Sequence, residues 1–278
     1  MGGRLPLRFA ADSCRYPSWS KYARGDTNVE AVEYEKLAQY ERWYWWYRAQ
    51  REWVLDILRR IDLPIGARVL DAGCGTGQTI EQIARTISIR GFGLDYSAHA
   101  ARHWPHADHI HRYRASVNEL PHPDNTFDAV LSVDVLQADE VRPRDALCEL
   151  SRVIAPGGWL VLMVPAFDWM RSRHDQAVHC VRRFNKQQLG ALTEGSGLRI
   201  EKLAYLFELF FPAIAAVRLL TRHRGAANGH APRSDLAPLP DWLNRFLLAL
   251  ARAERRVLHG AGGHFGSTLL MIAGKAER

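Results

Sequence analysis

The chain has 278 residues, of which 47% are hydrophobic and 24% are charged. This balance is that of an ordinary globular protein, and it excludes a disordered chain, a collagen and a disulfide-rich mini-protein. Lysines and arginines number 37 against 30 acidic residues, so the net charge is +7. This mild excess permits an anionic partner without requiring one. The length predicts one large domain or two small ones.

The cysteines and the most apolar segment bear on the compartment. The four cysteines are scattered, with no CxxC pair and no Cys/His spacing suited to zinc, so no metal is expected. The first residues lack the apolar run of a signal peptide. Residues 203–220 are apolar but contain Glu208, Pro212 and Arg218, which favours a strand end and a helix over a membrane span. We therefore expect a cytoplasmic protein without stable membrane insertion.

Strand and helix patterns alternate along the chain after a first long helix, predicted at 28–60 from apolar positions at helical spacing. Strands are predicted within 67–77, 89–97, 111–121, 127–137, 159–165, 198–206 and 267–276, and helices at 80–87, 145–154, 186–197, 212–221 and 241–259. This alternation predicts an α/β fold, a Rossmann-like doubly wound sheet of seven mostly parallel strands with helices on both faces.

Two helical regions fall outside that core. We predict an N-terminal helical lid at 1–60, a core formed by 61–210 with 264–278, and a helical insertion at 211–263 before the last strand. Residues 40–53 hold seven aromatic side chains in 14 positions, more than one narrow helix face can bury. They either pack on the core or form a lid over a ligand, and an exposed part could instead join a second subunit in a homo-oligomer.

A glycine turn follows the first predicted strand, where ligands bind in doubly wound sheets. The sequence DAGCGTG places Gly73, Gly75 and Gly77 there, and glycines let the backbone approach a ligand closely. Asp95, at the end of the second strand, can accept both hydroxyls of a ribose. The spacing differs from the GxGxxG of dinucleotide sites, and Asp71 would repel a pyrophosphate but could pair with an ammonium group.

The sequence DAGCGTG, followed in order by GLDYS, FDAVLSVDVL and ELSRVIAPGG, resembles class I S-adenosylmethionine-dependent methyltransferases over about residues 65–200. The resemblance implies S-adenosylmethionine as cofactor and S-adenosylhomocysteine as product. It implies that the methionine end lies on the glycine turn, the ribose on Asp95 and the adenine beside Tyr96. The implied cofactor residues are Asp71, Gly73, Cys74, Gly75, Gly77, Asp95, Tyr96, Ser116, Val117, Ser132 and Val133.

Two positions depart from the family pattern. Ser116 stands where the family often has an aspartate, and it is a weaker partner for the adenine edge. The family often reads Leu-Glu-His where this chain has Leu136, Gln137 and Ala138. The missing histidine removes any catalytic role that the resemblance would place there.

A closer branch is indicated by two further segments. Residues 44–48 read YWWYR and residues 164–184 read VPAFDWMRSRHDQAVHCVRRF. They resemble bacterial small-molecule methyltransferases of natural-product biosynthesis. The resemblance implies that Tyr47 and Arg48 reach the cofactor carboxylate.

The segment after the fifth strand faces the acceptor in this fold, and it contains His174 and His179. Histidine has the pKa to deprotonate a hydroxyl or ammonium near neutral pH, so these two are the predicted catalytic residues. Alternatively, His174 and Asp175 only hold the loop by hydrogen bonds. Arg182 and Arg183 could bind an anionic acceptor or form salt bridges.

The predicted acceptor pocket is otherwise apolar. Rings around it favour a terpenoid, a prenylated aromatic, a polyketide or a lipid-like acceptor, and they would also permit carbon methylation of an alkene, whose attack needs no base. The sequence does not choose between O, N and C acceptors. The predicted substrate-binding residues are Trp46, Phe167, Trp169, Phe184, Phe207 and Phe211.

These patterns predict methyl transfer from S-adenosylmethionine to a small, largely apolar acceptor in secondary metabolism. An RNA methyltransferase is one alternative, encouraged by the net charge of +7. It is disfavoured because no RNA-binding module is recognisable, so no nucleic-acid partner is expected. A non-catalytic cofactor-binding partner subunit is the other alternative.

Overall fold

The computed structural model describes residues 28–104, 110–222, 238–258 and 263–277. Residues 1–27 of the predicted lid and residues 223–237 of the predicted insertion lie outside the described residues. The strands are β1 Ala67–Ala72, β2 Ile89–Asp95, β3 Ile110–Arg114, β4 Phe127–Val133, β5 Ile154–Pro165, β6 Leu198–Leu206 and β7 Thr268–Lys275. The described helices are α1 Asn28–Tyr40, α2 Trp45–Leu58, α3 Gln78–Thr86, α4 Ala98–Arg102, α5 Pro143–Val153, α6 Arg173–Ala177, α7 Lys186–Thr193, α8 Phe211–Arg222 and α9 Asp241–Leu258.

The strands form one sheet in the order β3-β2-β1-β4-β5-β7-β6. Neighbouring strands are parallel from β3 to β5, and β7 is antiparallel to both β5 and β6. The predicted α/β fold with seven mostly parallel strands is thus confirmed. The strand order reverses between β1 and β4, and a ligand crevice is expected beyond the carboxyl ends of these two strands.

Helices cover both faces of the sheet, because alternate residues of the central strands enter two separate hydrophobic cores. On β1, Leu70 belongs to one core and Val69 to the other. Leu160 and Val161 divide in the same way on β5. Strands buried on both faces are apolar throughout, which is the pattern from which they were predicted.

The helix predicted at 28–60 is wrong in one respect, because it is broken into α1 and α2. The side-chain oxygen of Asn244, on α9, accepts a hydrogen bond from the Trp45 N–H at 2.8 Å, and its amide donates to the Trp43 carbonyl at 2.9 Å. These bonds satisfy backbone groups that a helix end leaves unpaired. A side chain from the insertion therefore stabilises the break.

Three other boundaries differ from the prediction. β5 begins at Ile154, directly after α5, since Ile154 pairs with Phe127 before a register shift. β4 ends at Val133 instead of continuing to 137. The short helix α6 was not predicted. Residues 203–220 form the end of β6 and most of α8, as expected, and no helix in the described part of the chain is long and apolar enough to cross a bilayer.

Candidate active site

The glycine turn after β1 adopts a conformation that favours glycine. Gly73, Gly75 and Gly77 all have positive φ, at 95°, 53° and 82°. A Cβ atom on Gly73 would lie 2.2 Å from Cγ2 of Val135, so no larger residue fits there. The turn therefore packs directly against the loop that follows β4.

Asp95, at the end of β2, joins this turn to α1. Its carboxylate accepts hydrogen bonds from the N–H of Gly75 at 2.8 Å and from the N–H of Ser97 at 2.9 Å. The Tyr34 hydroxyl of α1 donates to the same carboxylate at 3.4 Å. The predicted ribose-binding acid thus lies between the glycine turn and the first helix.

Asp71, at the end of β1, is a buried carboxylate with an unsatisfied oxygen. Only 2% of the residue is exposed, and Oδ2 has no hydrogen-bond partner among the described residues. Burial, with smaller contributions from the charges of Asp95 and Glu41, raises the pKa of Asp71 to about 7. Ser132, on the neighbouring strand, has a similarly unpartnered hydroxyl within the described structure. An ammonium group at this edge would give Asp71 the partner that it lacks, so the residues present fit S-adenosylmethionine.

A third carboxylate near the turn was not predicted. Glu41, in the break between α1 and α2, accepts a hydrogen bond from the Thr76 hydroxyl. Burial raises the pKa of Glu41 to about 7. No sequence signal identifies this residue, because the helix break alone brings it to the turn.

The predicted adenine end lies beside an open cavity of about 440 Å³. Tyr96 and Ser116 both line this cavity, and Tyr96 is 42% exposed. The Ser116 hydroxyl accepts a hydrogen bond from the Asn118 N–H at 3.1 Å. Val117 and Cys74 are buried and contribute little free surface.

The first turn of α2 carries Tyr47 and Arg48, which are both half-buried. Burial raises the pKa of Tyr47 above its usual value, and the charge of Asp134 raises it further. The Arg48 side chain has no hydrogen bond or ion pair within the described part of the chain. A cofactor contact by either residue remains a prediction.

The aromatic residues predicted for the acceptor form two groups. Trp46 stacks on Phe207 with ring centroids 4.3 Å apart, and Phe167 stacks on Tyr205 at 4.8 Å. Phe211 packs edge-on against Phe167. Stacked and edge-on pairs of aromatic rings stabilise their contact by more than the burial of apolar area alone.

These rings differ in how much surface they leave for an acceptor. Phe207 is fully buried and Phe184 is 4% exposed, so both belong to the hydrophobic cores and support other residues from behind. Trp169 is 44% exposed, and Phe167 and Phe211 are half-buried.

Asp175 holds the segment after β5 in place, as the hydrogen-bonding alternative expects for this residue. Its carboxylate pairs with the buried Arg183 at 2.6 Å and with Arg218 at 2.8 Å, and it accepts the Ser172 N–H. Arg182 donates to three backbone carbonyls of residues 136–141. Both arginines considered for an anionic acceptor therefore have structural partners.

The two predicted catalytic histidines lie on this segment. His174 is half-buried on α6, whereas His179 is exposed and has a positive φ of 52°. Proton transfer by either one remains a prediction. Sequence reasoning missed Asp134, which follows β4 and accepts a hydrogen bond from Gln50 of α2 at 2.8 Å.

Comparison with known proteins defines the class. Residues 70–162 match the family model described as a methyltransferase domain. A probable S-adenosylmethionine-dependent methyltransferase of Mycolicibacterium smegmatis is 30% identical over 170 residues, which cover 58% of this chain and 62% of that protein. A demethylmenaquinone methyltransferase of Corynebacterium urealyticum is 36% identical over 112 residues, covering 40% of this chain and 47% of its own length. This chain thus matches about half to three-fifths of the length of these relatives.

A solved structure with a similar fold is the geranyl diphosphate C-methyltransferase of Streptomyces coelicolor, in complex with Mg²⁺, geranyl diphosphate and S-adenosylhomocysteine. Its TM-score is 0.54 at 16% identity, covering 82% of this chain and 79% of that chain. Over residues 70–162 the chain is therefore similar to S-adenosylmethionine-dependent methyltransferases, and S-adenosylmethionine is the cofactor that this similarity supports.

The raised pKa values of Asp71 and Glu41 predict that cofactor affinity depends on pH. An ammonium group pairs with ionised Asp71, so a proton must leave when the cofactor binds below about pH 7. We expect the affinity for S-adenosylhomocysteine to fall by up to about tenfold for each pH unit below 7. Calorimetry between pH 5.5 and 8.5 measures this dependence, and Asp71→Asn should remove most of it. An affinity that is constant over this range would contradict the prediction.

Proposed function

We propose that this chain transfers a methyl group from S-adenosylmethionine to a small, largely apolar acceptor of the natural-product type. The observation that carries this proposal is the position of the aromatic groups. Trp46 and Phe167 lie in clusters at the sheet edge that also presents Asp71 and Asp95. Aromatic side chains beside a few polar groups are typical of small-molecule binding sites.

The names of two similar proteins support an acceptor of this class. One is named for demethylmenaquinone and the other for geranyl diphosphate, and both molecules carry hydrocarbon chains. The chain also has the segments that the natural-product branch carries before the first motif and after β5. The net charge of +7 is the one feature that favours RNA.

The contacts of α1 support its role as a lid over the cofactor. The Tyr34 hydroxyl donates to Asp95, and Glu41, directly after α1, accepts a hydrogen bond from the Thr76 hydroxyl. Cδ2 of Leu37 lies 3.4 Å from where a Cβ atom on Gly75 would be. A lid in this position would keep water away from the reacting atoms, and α2 would close the same side with its rings.

Methyl transfer requires the protein to do little more than position the acceptor and the methyl group. Methyl transfer from a sulfonium is an in-line displacement, so the acceptor atom must be held about 3 Å from the methyl carbon. Aromatic faces can stabilise a nearby cation by roughly 0.5–2 kcal/mol each. A base is needed only for an acceptor that keeps its proton during the attack, and His174 and His179 are the candidates on the segment after β5.

Methylation assays with labelled S-adenosylmethionine test the proposal. We expect transfer to prenylated or hydroxylated apolar compounds, and none to tRNA or to a soluble sugar. Transfer only to tRNA or a sugar would overturn the proposed acceptor class.

The same assay separates the roles of the histidines. If one of them is the base for a hydroxyl acceptor, its replacement by alanine lowers turnover by about 10²–10⁴ with cofactor binding unchanged. If the acceptor atom is carbon, each histidine replacement lowers turnover far less, and Trp169→Ala lowers turnover more than either of them. His111→Ala is the control, because His111 is exposed on the edge strand β3. Loss of cofactor binding in the histidine variants would contradict both expectations.

A further inference from the structure

Strained backbone follows three strands at the carboxyl edge of the sheet. Asp134 follows β4 with a φ of 54°, Phe167 follows β5 with 58°, and Phe207 follows β6 with 65°. Left-handed residues other than glycine cost about 1–3 kcal/mol and persist where their surroundings hold them, often at functional sites. Two of the three residues belong to the aromatic groups already described. Asp134 is the polar one.

The surrounding structure fixes the position of Asp134. Its N–H donates to the carbonyl of Met163 on β5 at 3.0 Å. Its Oδ2 accepts the Gln50 amide at 2.8 Å, whereas no described residue donates to Oδ1. The residue as a whole is exposed to solvent. The protein groups around its carboxyl nevertheless desolvate that group, and this raises the pKa of Asp134. Asp134 is therefore held in place at the end of β4, with one carboxylate oxygen available.

The neighbours of Asp134 come from the cofactor side and the acceptor side. The next residue, Val135, packs against Gly73 of the glycine turn. Gln50 lies one helical turn after Trp46, so both project from the same face of α2. Through Val135 and Gln50, Asp134 is thus connected both to the glycine turn and to the helix that carries Trp46.

The ionisable groups around Asp134 are few. Tyr47 faces it from α2, and Arg183 and Cys180 face it from the segment after α6. Arg183 favours the ionised carboxylate, although it is itself paired with Asp175. The Gln50 hydrogen bond also favours the ionised form.

We propose that Asp134 is the catalytic base for an acceptor hydroxyl and that Gln50 is its positioning residue. This inference rests on the proposed function and narrows the acceptor to an apolar alcohol or phenol. It gives the role of base to Asp134 instead of His174 or His179. The acceptor O–H bond breaks and its proton goes to Asp134 Oδ1. The oxygen forms the new bond to the methyl carbon while the carbon–sulfur bond breaks, and its electron pair stays on a neutral sulfur.

The same contact predicts that the enzyme selects acceptors that carry a hydroxyl group. An acceptor without a donor group would cover the carboxylate and leave Oδ1 without a hydrogen bond, which costs free energy. A site built to bond a hydroxyl rejects the analogue that lacks it much more strongly than an apolar pocket rejects a small difference in size.

Asp134→Asn is the informative variant. Asparagine tolerates the left-handed conformation and keeps the shape of the side chain, but it cannot take the proton. We expect turnover of a hydroxylated acceptor to fall by about 10²–10⁴. The rising limb of kcat/KM for the acceptor with pH, measured at saturating S-adenosylmethionine so that Asp71 does not contribute, should disappear. The affinity for S-adenosylhomocysteine should stay within threefold. Asp139→Asn, exposed on the same loop, is the matched control and should change neither quantity.

Gln50→Met provides a second test that does not alter the carboxyl. Loss of the Gln50 hydrogen bond should raise the pKa of Asp134 and move the rising limb of the pH profile to higher pH, with about a tenfold loss of turnover. This shift is a readout that a purely structural role of Gln50 would not give. An unmoved limb would overturn the inference even if Asp134→Asn failed to fold.

The outcomes separate this inference from the function on which it rests. Methyl transfer by the unmodified chain, with Asp134→Asn within threefold of it and with the same pH profile, overturns the inference alone. Equal turnover of a hydroxylated compound and its deoxy analogue does the same. Failure of the unmodified chain to methylate any apolar compound, while it still binds S-adenosylhomocysteine, overturns both.

Discussion

Asp71→Asn and Asp95→Ala each weaken binding of S-adenosylhomocysteine by more than tenfold. Asp71 loses its charge toward the cofactor ammonium, and Asp95 loses a charged acceptor for the ribose hydroxyls. A hydrogen bond to a charged group contributes about 1.5–3 kcal/mol, and about 1.4 kcal/mol is a factor of ten in affinity. Isothermal titration calorimetry at pH 8, where Asp71 is ionised, measures both changes.

The control for these variants is Asp62→Asn, which changes an exposed carboxylate before β1 and should leave the affinity unchanged. Asp95 also accepts the N–H groups of Gly75 and Ser97, so thermal unfolding of the Asp95 variant must be followed in parallel. Unchanged affinity in a folded Asp95→Ala protein would place the ribose elsewhere.

Asp175→Ala lowers the free energy of unfolding by about 3–5 kcal/mol. The substitution leaves the Arg183 guanidinium, whose side chain is 4% exposed, without its anionic partner, and it removes the ion pair to Arg218. An uncompensated buried charge is much more costly than a lost surface contact. Denaturant unfolding followed by circular dichroism measures the change.

Asp168→Ala is the matched control, because Asp168 pairs with Arg171 on the surface of the same segment. An exposed pair of this kind contributes about 0–1 kcal/mol. Equal destabilisation by the two substitutions would mean that Asp175 does not hold the segment.

The sequence predicts those parts of the fold that depend on local pattern. Apolar runs bounded by glycines predict the strands, and DAGCGTG with Asp95 predicts the cofactor edge. Each of these signals lies within a few residues of the structure that it specifies.

Features set by distant residues could not be predicted. The break between α1 and α2 depends on Asn244, about 200 positions further along the chain. That break brings Glu41 to the glycine turn. The helical pattern of residues 28–60 indicates neither the break nor the position of Glu41.

The side to which an aromatic or polar residue points is also decided by packing. Phe184 and Phe207 are aromatic, as residues that line an apolar pocket often are, but their side chains lie in the hydrophobic cores. The sequence does not indicate Asp134 as a site residue, because the apolar run FDAVLSVDVLQ predicts a strand that continues to residue 137. In the structure β4 ends at Val133, and Asp134 adopts a left-handed backbone conformation. A period-two pattern does not reveal such a turn.

The most direct test of the central claim is titration calorimetry of the unmodified chain with three ligands. These are S-adenosylmethionine, S-adenosylhomocysteine and NAD. We expect micromolar binding of the first two and no binding of NAD, because the buried carboxyl of Asp71 suits an ammonium group and repels a pyrophosphate. Binding of NAD, with neither of the other ligands bound, would contradict the assignment of this edge of the sheet to S-adenosylmethionine.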